Sequence, residues 1–136
     1  MSRLIDTDIV IYHVNDVRPA TQLVDGLFDE GIAISAITLM EVLDGLEQAR
    51  DARLAQSRFR VFASRVPVIP FGPDEAAVAA SMRRVLRQQG RRVRPRALDL
   101  LIAATALTHD LTLVTNNPSD YQDIRDLRLQ HAGITV

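Results

Sequence analysis

Apolar runs of strand length alternate along this chain with stretches of helical period, and no other feature constrains the fold as strongly. Residues 4–6, 32–34, 66–69, 111–114 and 134–136 read as short strands. Helical patterns fill the intervals: 7–13, a segment opened by Pro19 and closed by Gly31, one capped by Ser35 or Thr38 and running to about Gln48, 51–63, 73–90 and 97–107. Residues 119–126 form a short helix or turn. This order predicts an α/β domain of three layers, with a central, mostly parallel sheet of four to five short strands flanked by helices. Pro67 and Pro70 bracket the third strand and put it at a sheet edge. Leu54, Val61 and Phe62 are expected to face inward. So are Val78, Met82, Val85 and Leu86, which form an apolar stripe at helical spacing.

The chain has 136 residues, and no repeat, linker or low-complexity tract divides it, so a single domain over 1–136 is expected. No apolar run approaches the ~20 residues of a membrane span, and the start lacks a signal-peptide pattern. A cytoplasmic protein without membrane contact is the expectation. With no Cys, thiol catalysis, disulfides and thiolate metal sites drop out. All 16 basic residues are Arg, which removes every mechanism built on a lysine.

Four acidic residues occupy places where a solvated charge has little reason to be. Asp6 ends the first strand, where an open parallel sheet offers its ligand crevice, although capping the next helix is an equally ordinary use. Glu41 lies among Ile37, Leu39, Met40, Val42 and Leu43, and Thr38 to Glu41 also spells a capping box. Asp99 lies in Ala97-Leu98-Asp99-Leu100-Leu101-Ile102-Ala103-Ala104, a helix with almost no polar face. A carboxylate buried there requires a proton, an arginine such as Arg94 or Arg96, or a cation. Asp120 follows Thr115-Asn116-Asn117-Pro118-Ser119, where Ser119 and Gln122 could cap a turn, and Asn117 could place a neutral oxygen at the same site. Carboxylates gathered in one crevice cannot all ionise without a counter-cation. Hard divalent ions such as Mg²⁺ or Mn²⁺ answer that need and suit phosphodiester hydrolysis.

Taken in order, Leu4-Ile5-Asp6-Thr7-Asp8-Ile9-Val10-Ile11, Ser35-Ala36-Ile37-Thr38-Leu39-Met40-Glu41-Val42, Asp99-Leu100-Leu101-Ile102-Ala103-Ala104-Thr105-Ala106 and Leu113-Val114-Thr115-Asn116-Asn117 with Asp120-Tyr121 resemble the PIN-domain ribonucleases. Within that family they look most like the VapC toxins of bacterial toxin–antitoxin pairs. The resemblance implies a PIN-like fold and an endoribonuclease dependent on Mg²⁺, or Mn²⁺, with Asp6, Glu41 and Asp99 as its metal-holding acidic triad. Thr7 and Thr115 match hydroxyl residues that orient the site, and Asp8 stands where many relatives carry Asn. The fourth position is open between Asn117 and Asp120. The resemblance further implies a VapB-like antitoxin, a homodimer, and a structured RNA substrate such as tRNA.

Seven arginines, Arg83, Arg84, Arg87, Arg91, Arg92, Arg94 and Arg96, fall within residues 83–96 with no acid among them. The remaining nine arginines share the chain with 17 acids, so the net charge of −1 hides a segregated basic stretch. A planar guanidinium suits phosphate, and the run leads into Asp99, so RNA contact is expected at the rim of the acidic site. His13, His109 and His131 share no spacing and read as helix-end or surface residues.

Two other readings compete. Asp6-Thr7-Asp8-Ile9-Val10 after a strand also resembles the opening motif of haloacid-dehalogenase-type phosphatases, which usually need a later lysine. A non-catalytic RNA- or protein-binding module on the same fold is the other.

Overall fold

A computed structural model describes residues 2–136. Its elements run β1 (Arg3–Ile5), α1 (Thr7–Val14), α2 (Arg18–Leu27), β2 (Ile32–Ser35), α3 (Ala36–Leu46), α4 (Ala52–Ala63), β3 (Val68–Ile69), α5 (Pro73–Gln88), α6 (Ala97–Thr108), β4 (Thr112–Thr115) and β5 (Leu129–His131). All strand pairs are parallel, in the order β3-β2-β1-β4-β5.

Side chains of a strand alternate between faces, and here the alternation sorts the core into two halves. Ile5, Ile32, Ile34 and Val114 point to one side, where they meet Ile9, Val42, Phe59 and Phe62 from α1, α3 and α4. Leu4, Ala33 and Leu113 point to the other, against Leu86 of α5 and Leu100, Ile102 and Ala103 of α6. The outcome is the expected three-layer α/β architecture. The bare periodicity of β1, β2 and β4 follows from burial on both faces, which removes any need for polar alternation.

Several local expectations are corrected. The last strand is not 134–136 but β5, Leu129–His131, a partly exposed edge strand without apolar alternation. Gly133 at φ +67° turns the chain out of line. Ile134 is then bracketed by Asn116, whose Nδ2 donates to the Ile134 carbonyl at 2.8 Å and whose Oδ1 accepts the Ile134 N–H at 2.7 Å. The third strand shrinks to Val68–Ile69, at the edge where its prolines place it. In α4 the inward residues are Ala55, Phe59 and Phe62, while Leu54 and Val61 are exposed. In α5 Val85 is exposed, and Glu75, Ala79 and Leu86 are buried.

Candidate active site

Successive strands step from β1 to β2 and β3 on one side, and β4 and β5 occupy the other. Strand order therefore reverses between β1 and β4, and the carboxyl ends of these two strands open the crevice typical of such a sheet. Asp6 follows β1 directly. It is both the α1 cap and a buried site carboxylate: Oδ1 accepts the Thr7 N–H at 2.8 Å, and only 6 % of the residue is exposed. Its other oxygen, Oδ2, accepts from the Thr115 hydroxyl at 2.7 Å and the Tyr121 phenol at 3.0 Å.

Glu41 does not close a capping box. Ser35 caps α3, its Oγ accepting the Thr38 N–H at 2.9 Å. Glu41 sits one turn further along and takes the Thr7 hydroxyl on Oε1 at 2.8 Å; the same hydroxyl lies 3.0 Å from Thr38 Oγ1. The capping threonine of the sequence reading is thus a buried strut behind the acid.

Asp99 occupies the first turn of α6 and is half-buried, because this turn opens onto the crevice rather than into the core. Neither expected arginine pairs with it. Its Oδ1 accepts from the Tyr121 phenol at 3.3 Å. Asp120 is exposed, in a single turn of 3-10 helix (Pro118–Asp120) that no side chain caps, so the proposed Ser119 cap is absent. Asp8 Oδ2 accepts from the Asn116 N–H at 3.2 Å and from Asn117 Nδ2 at 2.9 Å. Asn117 thus spends its amide on a neighbouring carboxylate, and its N–H on Thr115 Oγ1 at 3.0 Å.

The carboxylates feel one another. Burial, then the charge of Asp8, lifts the Asp6 carboxyl to about 6 despite its hydrogen bonds. Burial also raises Asp8. Asp99 is raised by burial and then by the charges of Asp6, Asp120 and Glu41. Among the described residues no three acidic or histidine side chains form a ready-made cation cage. The donors are all hard oxygens that repel one another for want of positive charge. This suits a divalent ion that keeps several waters and takes only one or two carboxylates directly.

The arginine run divides in two. Arg96 sets a two-pronged contact on Asp123, with both N–O distances 2.7 Å, and its Nη2 also donates to the Asp120 carbonyl at 2.9 Å. Arg91 approaches Asp123 at 3.5 Å. The others form no ion pair among the described residues. Glu75, near the start of α5, meets His109, at the end of α6, at 2.9 Å, so the two helices pack antiparallel. That brings Arg83, Arg84 and Arg87 beside the first half of α6, in an open groove shared with Leu101 and Phe71. Arg91, Arg92 and Arg94 line a second groove that Arg87 joins to the first. His13 contacts Thr21, and His131 is exposed on β5.

Sequence reasoning passed over Tyr121 as a site residue. Its phenol reaches both Asp6 and Asp99 from a ring only 1 % exposed, and burial with the adjoining carboxylates drives its ionisation far upward, so it remains a neutral donor. The available signal was a tyrosine in a polar turn that itself follows an apolar strand.

The PIN domain pattern matches residues 3–126. The chain is 31% identical over 133 residues to ribonuclease VapC2 of Rickettsia felis, covering 96% of this chain and 98% of that one. It is 30% identical over 128 residues to the tRNA(fMet)-specific endonuclease VapC of Shigella flexneri, covering 93% and 95%. Among solved structures, VapBC2 from Rickettsia felis bound to a DNA fragment from its promoter superposes with a TM-score of 0.84 at 30% identity, covering 96% of this chain and 98% of that chain.

Proposed function

The chain belongs to the PIN-domain family and, within it, to the VapC ribonucleases of toxin–antitoxin pairs, and on that premise we propose that its acidic crevice cleaves RNA with Mg²⁺ or Mn²⁺ held by Asp6, Glu41 and Asp99. The observation that carries this reading is that hydrogen bonds from Thr7, Thr115 and Tyr121 link Asp6, Glu41 and Asp99, from three separate stretches of chain, at the point where strand order reverses. A divalent cation bound there supplies water activation and charge stabilisation at phosphorus. Asp6 and Asp99 are the carboxylates best placed to hold it. Asp6 has little freedom to move, because the Thr7 N–H and the Thr115 hydroxyl both donate to it and the Tyr121 phenol, whose one proton it shares with Asp99, lies 3.0 Å away. Glu41, fixed at Oε1 by Thr7, has its second oxygen to orient the attacking water. Asp120, exposed at the lip, adds negative charge without a fixed partner, and Asn117 supports the site by steadying Asp8.

Arg83, Arg84, Arg87, Arg92 and Arg94 are the phosphate contacts in this reading, and Arg91 contributes from the rim. Arg96 serves the fold instead. The name of the Shigella flexneri relative makes tRNA the first substrate to test. The Rickettsia felis complex makes a VapB-like antitoxin the partner to seek, with a homodimer as the expected assembly. Among the described residues no helix is long and apolar enough to cross a membrane, and an RNA substrate points to the cytoplasm. Asp99→Asn tests the core of the proposal: it should abolish Mg²⁺-dependent cleavage of tRNA while preserving the circular dichroism spectrum. Cleavage at the wild-type rate would refute it.

A further inference from the structure

Asp99 has one hydrogen-bond donor among the described residues, the phenol of Tyr121. The contact matters because Asp99 is half-exposed and is repelled by Asp6, Asp120 and Glu41. Left alone, a carboxylate in that position turns toward water and away from its neighbours. Asp6, in contrast, is fixed by Thr7 and Thr115 whether or not Tyr121 is present. The phenol's single proton, shared between Asp6 Oδ2 at 3.0 Å and Asp99 Oδ1 at 3.3 Å, therefore ties the mobile carboxylate to the fixed one.

What holds the phenol in place is visible as well. Arg96 is the cap position of α6, three residues before Asp99. Its guanidinium grips Asp123 with two prongs and takes the Asp120 carbonyl, immediately before Tyr121. One side chain thus fastens the helix start that carries Asp99 to the turn that carries Tyr121.

We propose that Tyr121 is a positioning residue whose hydroxyl sets the spacing of the Asp6 and Asp99 carboxylates for a shared divalent cation, and that Arg96 and Asp123 hold Tyr121 at that station. This rests on the nuclease reading above. Partners of this kind, which orient the groups that bind a metal, govern affinity as well as geometry.

Tyr121→Phe removes one oxygen and keeps the ring. Mn²⁺ titrated into the full-length protein without RNA, read by electron paramagnetic resonance, should bind the variant roughly 10- to 100-fold more weakly than wild type. Cleavage lost at limiting Mn²⁺ should return at saturating Mn²⁺, and the melting curve in EDTA should remain cooperative. A purely structural tyrosine would lower the melting temperature and leave the Mn²⁺ affinity untouched, which would overturn the proposal. Arg96→Lys keeps the charge and loses the fork, so it should weaken Mn²⁺ binding by a smaller factor; wild-type affinity there would overturn the part assigned to Arg96. Wild-type protein that takes up no Mn²⁺ at all would overturn the nuclease reading and this inference together.

Discussion

Thr115, the last residue of β4, donates its hydroxyl to Asp6 Oδ2 across 2.7 Å, joining positions 109 residues apart at the mouth of the crevice. Both residues are buried, and the same hydroxyl accepts the Asn117 N–H at 3.0 Å. Thr115→Val keeps the shape and removes both bonds. It should destabilise the fold by about 1–3 kcal/mol, the usual cost of orphaned buried polar groups, and push the Asp6 carboxyl further up, since the Thr115 bond opposes that rise. Thr115→Ser should retain most of the stability. Urea unfolding in EDTA measures both, and a loss confined to Thr115→Ser would show that the methyl, not the hydroxyl, matters.

The fork between Arg96 and Asp123 has a pH signature. Arg96 holds the Asp123 carboxyl below the usual carboxylate range, chiefly through their hydrogen bonds. A folded-state value below the unfolded one contributes stability that is complete above about pH 4 and disappears as pH falls through the folded value. Asp123→Asn should therefore be less stable than wild type at neutral pH and lose less on acidification. Urea midpoints at neutral and acid pH give the comparison; parallel slopes for the two proteins would contradict the assignment.

Removing and restoring the cation should be visible without any RNA. The cluster of Asp6, Asp8 and Asp99 is held against mutual repulsion, and each of these carboxyls is raised. Mg²⁺ added to EDTA-stripped protein at pH 8 should raise the melting temperature, with about 2.7 kcal/mol of stabilisation expected at a hundredfold excess over Kd. Asp99→Asn should remove that response and also melt higher than wild type in EDTA, because one repelling charge is gone. A wild-type melting temperature indifferent to Mg²⁺ would count against a cation in the crevice.

Much of this architecture is legible in the sequence because two-sided burial leaves a strong mark. Leu4–Ile5, Ile32–Ile34 and Leu111–Val114 are short apolar runs between helical patterns, the mark of inner strands. Asp6, Glu41 and Asp99 stand out because each interrupts such a neighbourhood. The final strand is not legible because its determinants are remote: Asn116 brackets Ile134 from 18 residues away, and Leu129-Gln130-His131 carries no apolar alternation. Long-range partnership also hid Tyr121, whose two carboxylates lie 115 and 22 residues off. Arg96 stands in a charge run, which is judged by its neighbours in sequence, whereas its partner Asp123 lies 27 residues on. Composition identifies which groups need a partner, and only the fold assigns them one.

That division of the arginines predicts a difference in salt dependence. Arg83, Arg84 and Arg87 have no ion-pair partner among the described residues, and they flank the half of α6 that carries Asp99. Each phosphate contact adds about 0.7 on a single strand and about 0.9 on a duplex to the slope of log affinity against log salt. Replacing all three by Gln should flatten the slope for catalytically silent Asp99→Asn protein binding tRNA by about 2 to 3, with weaker binding at low salt. Arg96→Gln in the same background should leave the slope close to its starting value while lowering stability, because its charge is already spent on Asp123. Filter binding over a range of KCl concentrations separates the two cases. A slope reduced as much by Arg96→Gln as by the triple change would mean that the fork opens to meet RNA, and the assignment of Arg96 to the fold would fall.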